Sequence, residues 1–252
     1  MMRNKSYFIS DIHLGAKFIK NPGEHERIIV KWLESIREDA KNLFLLGDIL
    51  DYWYEYKEVI PRGFIRFFGA LARLADSGVN IVWFKGNHDI WIFDYLPNEI
   101  GLKVVDGSMV TEIDGKRFFM EHGDGVGESR PSYRRMRAIF RNRTCQKIFS
   151  AIHPRWTVPF AHNWSSYSRA TATNALVDLP DSHKLVVFAK DYKETHDHID
   201  YFVFGHLHVP VNREIMPGTR LIVLGDAFIN LTYGVYDGNE FALHKIDSGN
   251  NN

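Results

Sequence analysis

Five short apolar runs, each breaking off into a cluster of Asp, Asn or His, constrain this chain more than any other feature. Tyr7-Phe8-Ile9-Ser10 enters Asp11-Ile12-His13-Leu14-Gly15, and Leu43-Phe44-Leu45-Leu46 enters Gly47-Asp48. Val79 to Phe84 enters Gly86-Asn87-His88-Asp89, Lys116 to Glu121 enters His122-Gly123-Asp124, and Tyr201 to Phe204 enters Gly205-His206-Leu207-His208. Runs this short and this continuously apolar suit strands buried on both faces. Helical patterns lie between the first three. Glu24 to Arg37 carries a stripe of Ile28, Ile29, Trp32, Leu33 and Ile36, and Phe64 to Leu74 is stopped by Asp76-Ser77-Gly78. The order β-α-β-α-β predicts a parallel sheet, whose carboxyl edge is where open α/β sheets bind ligands.

The second half is richer in strand signals. Lys103 to Thr111 and Lys116 to Glu121 flank Asp114-Gly115, a hairpin turn. Thr219 to Leu224, Phe228 to Tyr236 and Glu240 to Ile246 read as a closing set of strands, with turns at Gly225-Asp226 and Asp237-Gly238. The polar tail 247–252 is expected to fray. Residues 125–182 differ in character: they are rich in Arg, aromatics and Ser/Thr and poor in strand patterns. They read as a helical lid inserted into a single domain spanning 1–252, a length that one large α/β domain can fill.

Cys145 is the only cysteine, so neither an intrachain disulfide nor a thiolate metal site can form. Any cation must be held by carboxylates, amides and imidazoles. Asp11 and His13 are two residues apart, as are His206 and His208, and in extended chain such pairs face the same side. Taken singly, the clusters are weak signals. Asp-x-His is usually a loop detail, Gly-Asp and Gly-Asn-His are usually turns, and a lone His122 is more often a hydrogen-bonded core residue. Gly205-His206-Leu207-His208 resists that explanation, and the common strand-end position of all five clusters resists it further. Mixed oxygen and imidazole donors suit Mn, Fe, Zn or Co. A carboxylate such as Asp48 can bridge two ions, and a pair of ions about 3.5–4 Å apart polarises a phosphoryl oxygen and activates water for in-line attack.

In their order and composition the five clusters resemble the signature of the calcineurin-like metallophosphoesterase superfamily, and the match spans nearly the whole chain. The resemblance implies a four-layer α/β/β/α sandwich and two divalent cations, Mn²⁺ first, with Fe, Zn or Co as alternatives. Carried onto this sequence, one ion takes Asp11, His13, Asp48 and His208. The other takes Asp48, Asn87, His122 and His206, with Asp48 bridging. His88 faces the substrate phosphate, and Asp89 orients His88. Within the superfamily, Ile9 to Gly15, Gly47 to Trp53 and Glu121 to Gly125 look most like the UDP-2,3-diacylglucosamine pyrophosphohydrolases of lipid A synthesis. That implies cleavage of a nucleotide-linked glycolipid to UMP and 2,3-diacylglucosamine 1-phosphate, with Mn²⁺, at the cytoplasmic face of the inner membrane. The sequence differs from that group in carrying His88 where its best-known members have Arg, and in Glu128-Ser129-Arg130-Pro131, which lacks an acidic pair. His88 is equally compatible with a phosphodiesterase or phosphatase acting on another nucleotide or a phosphoprotein. A third alternative is a non-catalytic lipid- or membrane-binding module, against which the complete ligand set argues.

The insertion bears on the same question. Between Val126 and Ser150 the cations are Arg130, Arg134, Arg135, Arg137, Arg141, Arg143 and Lys147, against Glu128 as the only acid. Met136, Ile139, Phe140, Ile148, Phe149 and Ile152 interleave with them at near-helical spacing. Such a pattern reads as a membrane-surface element or a substrate clamp, with Arg130, Arg134, Arg137 and Arg141 as the phosphate-binding candidates. It reads equally as a solvated lid packing its apolar side on the core, and single-stranded nucleic acid is a third partner such residues can serve. His153, Trp156, His162 and Trp164 are expected to shape the lid without a catalytic part. Lys+Arg and Asp+Glu both number 31, so the basic excess of a duplex-DNA binder is missing and nucleic acid is disfavoured. Met1 to Tyr7 lacks the apolar run of a signal peptide, and no stretch reaches the ~18 apolar residues of a spanning helix. The expected location is the cytosol or a membrane surface.

Overall fold

The computed structural model describes residues 3–158 and 179–249. His162 and Trp164, with most of the second half of the expected lid, lie outside the described residues.

The first half forms β1 (Lys5–Ile9), α1 (Pro22–Ser35), β2 (Ala40–Leu45), α2 (Ile65–Asp76), β3 (Asn80–Phe84), α3 (Tyr95–Ile100) and β4 (Lys103–Val105). The hairpin β5 (Met109–Ile113) and β6 (Lys116–Glu121) follows, then α4 (Pro131–Arg141) and α5 (Arg143–Ser150). After the undescribed stretch come α6 (Lys184–Thr195), β7 (Tyr201–Phe204), β8 (Pro210–Met216), β9 (Thr219–Leu224), β10 (Thr232–Tyr236) and β11 (Phe241–Lys245).

Two sheets result, in the orders β11-β10-β1-β2-β3-β4 and β5-β6-β7-β9-β8. β1 through β4 are mutually parallel, as are β6, β7 and β9. Side-chain alternation sorts the strands' apolar residues into three cores. Tyr7, Ile9, Leu43, Leu45, Ile81 and Trp83 pack outward against Ile29 and Leu33 of α1 and Phe67 and Leu71 of α2. Phe8, Phe44, Val82 and Phe84 point the other way, onto Phe118, Met120, Val203 and Ile222 of the second sheet. That sheet's far face, with Phe119, Phe202, Phe204 and Leu221, is covered by Leu185, Val186 and Ala189 of α6. The layers are therefore helix, sheet, sheet, helix, as expected. Runs with an apolar residue at every position are needed because both faces of both sheets are covered.

Two expected strands come out differently. Lys103 to Thr111 is not one strand. Val104 pairs with Trp83 in the first sheet, whereas Val110 pairs with Phe119 in the second. The chain crosses between the sheets at Asp106-Gly107-Ser108, where Gly107 has φ +108°. Phe228 to Leu231 is loop rather than strand. The Asp226 carboxylate takes up the amides of Phe228, Ile229 and Asn230 that a ladder would need. Among the described residues, no helix is long and apolar enough to cross a membrane.

Candidate metal centre

β1, β2, β3, β6 and β7 all release the chain at the same end of the sandwich, and the five polar clusters converge there. Their conformations are costly. Asp11, His13, Asp48, His206 and His208 all have φ between +51° and +68°, and they make up five of the eight non-glycine residues with positive φ among those described. Such backbones cost about 1–3 kcal/mol each and persist where the surroundings impose them, most often at functional sites. Two glycines permit the close approach. A Cβ on Gly47 would lie 2.7 Å from His122 Nδ1, and one on Gly86 would overlap the Asp48 carboxylate.

Besides a group of His13, Asp51 and His88, two groups of donors form. In the first, Asp11 Oδ1 lies 3.5 Å from His208 Nε2 and 3.8 Å from His13 Nε2. In the second, His122 Nε2 lies 3.4 Å from Asp48 Oδ2 and 3.3 Å from Asn87 Oδ1, with a nitrogen of His206 within 4.8 Å of both Asp48 and His122. Asp48 Oδ2 is also 3.8 Å from His13 Nε2, so one carboxylate oxygen reaches both groups. Separations of about 3–4 Å between acceptors suit ligands surrounding one ion, each about 2.1 Å from it. Asp11 and Asp48 are at most 1% exposed. Asp11 Oδ1 is buried yet accepts no hydrogen bond. Leaving such an atom without a counter-charge is expensive, and a cation supplies one.

The surrounding hydrogen bonds fix the donors. His122 Nδ1 is 2.7 Å from the Leu46 carbonyl, which makes Nδ1 the protonated nitrogen and turns Nε2 inward as a ligand. Asp48 Oδ1 accepts from the His88 amide at 2.9 Å, and Asp11 Oδ2 from the His206 amide at 2.9 Å, leaving the other oxygen of each carboxylate for the centre. Burial pushes the Asp11 carboxyl up. For Asp48 burial acts the same way but is outweighed by His122, His88 and His13, which hold it well below the usual carboxylate range. Burial opposes a charge on His122, yet Asp48 prevails and draws the ring up to about 10. Burial, aided by His122, lowers His206 to about 3, so that ring is neutral and ready to ligate.

His88 stands beside the pair, with Nε2 3.9 Å from Asp48 Oδ2. Its Nδ1 meets the Asp51 carbonyl at 3.1 Å and Asp51 Oδ1 at 3.7 Å. Asp89 does not hold this ring. Its oxygens accept instead from the amides of Ile49 and Gly86 and from Trp83 Nε1, bracing the strand-end loops. The acid that contacts His88 is Asp51, not Asp89, and it also approaches His13 Nδ1 at 3.5 Å. The available signal was a second acid on the same strand exit, three residues beyond Asp48.

Three arginines at and within α4 are committed to acids. Arg137 Nε binds Asp124 at 2.8 Å, Arg141 Nε binds Asp106 at 3.0 Å, and Arg130 pairs with Glu128 at 2.7 Å. Arg134 has no ion pair among the described residues; it lines a cavity of about 200 Å³ with Tyr133, Arg137 and Arg141. The helical pair is tied to the core by Trp91 Nε1 donating to the Phe140 carbonyl at 2.9 Å and the Tyr54 hydroxyl donating to the Gln146 carbonyl at 2.6 Å.

Fold and donor set define a metal-dependent phosphoesterase, and comparison with known proteins agrees: residues 5–210 match the family Calcineurin-like phosphoesterase. The chain belongs to that family and is a metal-dependent hydrolase. Among curated proteins it is 39% identical to the UDP-2,3-diacylglucosamine hydrolase of Porphyromonas gingivalis, across 98% of this chain and 99% of that protein. Proteins of the same name from Ralstonia nicotianae and Nitrosococcus oceani are 28% and 26% identical, over 65% and 88% of this chain and 60% and 86% of their own lengths.

Proposed function

We propose that this chain hydrolyses the diphosphate of UDP-2,3-diacylglucosamine, giving UMP and 2,3-diacylglucosamine 1-phosphate in lipid A synthesis. The observation that carries the reading is the end-to-end likeness to the P. gingivalis hydrolase, combined with two donor groups that share Asp48 Oδ2. Asp11, His13 and His208 would hold one cation, Asn87, His122 and His206 the other, and Asp48 both. Mn²⁺ is the proposed metal, on the mixed oxygen and imidazole donors. When bound, the two cations would supply Lewis-acid polarisation of the phosphoryl oxygen and would lower the pKa of water.

The chain's own groups do the rest. Asp48 and Asp11 provide the negative charge that fixes the centre at the strand ends. The His88 ring, held at Nδ1 by Asp51, turns Nε2 toward the reacting phosphate and opposes the charge that develops there. Hydrolysis adds water across one P–O bond, and the leaving group is a sugar phosphate. A phosphate monoester has a second pKa of about 6, so it departs without a proton. His88 therefore acts chiefly by hydrogen bonding to the phosphoryl oxygens rather than by protonating the leaving group. The cavity beside Tyr133 and Arg134 is proposed to take part of the substrate, with α4 and α5 as its cover and the exposed Ile148 and Trp156 toward a cytoplasmic membrane surface. UMP release from UDP-2,3-diacylglucosamine, dependent on Mn²⁺ and lost in Asp48→Ala, tests the proposal; a metal-loaded protein that leaves this substrate intact refutes it.

A second reading, a phosphodiesterase or phosphatase for another phosphoester, is favoured by His88 itself, whose Nε2 can donate a proton to an alkoxide leaving group. A panel of phosphomonoesters and diesters separates the two. Faster turnover of any of these than of the diphosphate selects the second.

A further inference from the structure

The loop 225–231 between β9 and β10 supplies none of the donors named above, yet it grips two of the three strained backbones of the first group. Asp226, 1% exposed, spends its carboxylate inside the loop: Oδ1 accepts from the amides of Phe228, Ile229 and Asn230, and Oδ2 from Asn230 Nδ2 at 2.6 Å. The second hydrogen of that same Asn230 amide goes to the His208 carbonyl at 2.9 Å. The Ala227 amide donates to the Asp11 carbonyl at 3.1 Å. His208 and Asp11 sit at φ +58° and +51°, conformations the chain does not choose unaided, and the loop binds the carbonyl of each. The rings are held as well. His13 and His208 stack at 5.4 Å and 8°, and Phe228 meets them edgewise, at 5.7 Å from His13 and 5.4 Å from His208. The contacts of the loop at the centre reach Asp11, His13 and His208.

We propose that loop 225–231 is a positioning device for the Asp11, His13 and His208 cation alone, acting through Asn230 on the His208 backbone and through Phe228 on the two imidazoles. The inference rests on the two-cation reading above. Asn230 and Phe228 are not among the donors named above; in this proposal they set the angle at which their neighbours present donors. Partners of this kind are worth about 10–100-fold in metal affinity.

The test is Mn²⁺ titration of the full chain by calorimetry, with electron paramagnetic resonance to distinguish isolated from coupled ions. Wild-type protein takes up two ions and shows a coupled spectrum. In Asn230→Ala one ion weakens about 10–100-fold while the other keeps its affinity, and at intermediate loading the spectrum is that of isolated Mn²⁺. In a His208→Ala background, adding Asn230→Ala changes nothing further, because both act on the same ion. Phe228→Leu, which keeps most of the volume, gives the same one-sided loss in a weaker form and serves if Asn230→Ala fails to fold. Equal weakening of both ions, no weakening of either, or an additional loss in the His208→Ala background overturns the proposal. Wild-type protein that takes up no Mn²⁺ overturns the two-cation reading itself, and this inference with it.

Discussion

Cation binding at the Asp48, His122 and His206 group competes with a proton. His122 is raised from its ordinary 6.5 to about 10, its burial outweighed by Asp48. In chelator-treated protein near neutral pH the ring therefore carries a proton on Nε2, the nitrogen that faces Asp48 at 3.4 Å and would ligate the ion. Nδ1 cannot take over, because its hydrogen is engaged by the Leu46 carbonyl. Each ion bound here must expel about one proton, and affinity climbs about tenfold per pH unit, or about 1.4 kcal/mol, until the pH approaches the ring's pKa. Between about pH 6.5 and about pH 8.5 that is roughly a hundredfold. His206, lowered to about 3, adds nothing to the slope. Calorimetric Mn²⁺ titrations in two buffers of different ionisation enthalpy count the protons directly. The same linkage appears in stability: for protein stripped of cations, the raised His122 pKa contributes stability that is complete below 6.5 and lost as pH rises through about 10. An affinity independent of pH over this interval, with no proton release, would refute the reasoning.

Other consequences follow from single contacts. Gly86→Ala thrusts a methyl group into the Asp48 carboxylate, and should leave a folded protein, by circular dichroism, that has lost Mn²⁺ binding and turnover. His88→Asn should cost about tenfold in kcat/KM on the diphosphate, whose leaving group needs no proton, but about 10²–10⁴-fold on an alkyl phosphodiester; equal losses on both would contradict the role given to the ring. Glu55 is buried, accepts from the amides of Phe93, Asp94 and Tyr95 and from Trp53 Nε1, and lies away from the donors. Glu55→Ala should lower stability by about 3 kcal/mol in denaturant titration, since several buried donors lose their acceptor together.

Much of the fold was legible because burial on both faces leaves a plain mark. Phe8, Phe44 and Val82 lie side by side in register in one sheet, and their neighbours Ile9, Leu45 and Trp83 face the helices, so each run is apolar throughout. What an apolar run does not say is which of two sheets it joins. Lys103 to Thr111 carried no signal for the crossing at Gly107. Phe228 to Leu231 looked like strand because Phe228, Ile229 and Leu231 are apolar; the Asp226 carboxylate, capping its amides, makes it a loop. The candidate donors could be picked out as a set because each ends a buried strand. The Asp51 and Asp89 roles could not be told apart in advance, since which acid reaches His88 depends on the path the chain takes after the left-handed turn at Asp48. The arginines of the insertion looked free in the sequence. Among the described residues three of them are paired, two with acids outside that helical run, Asp106 and Asp124.

Anomalous diffraction at the manganese edge, from crystals grown with Mn²⁺, tests the central claim most directly. Two peaks about 3.5–4 Å apart are predicted, one among Asp11, His13 and His208, the other among Asn87, His122 and His206, with Asp48 Oδ2 between them. A lone peak away from Asp48, or none at this end of the sandwich, would contradict it.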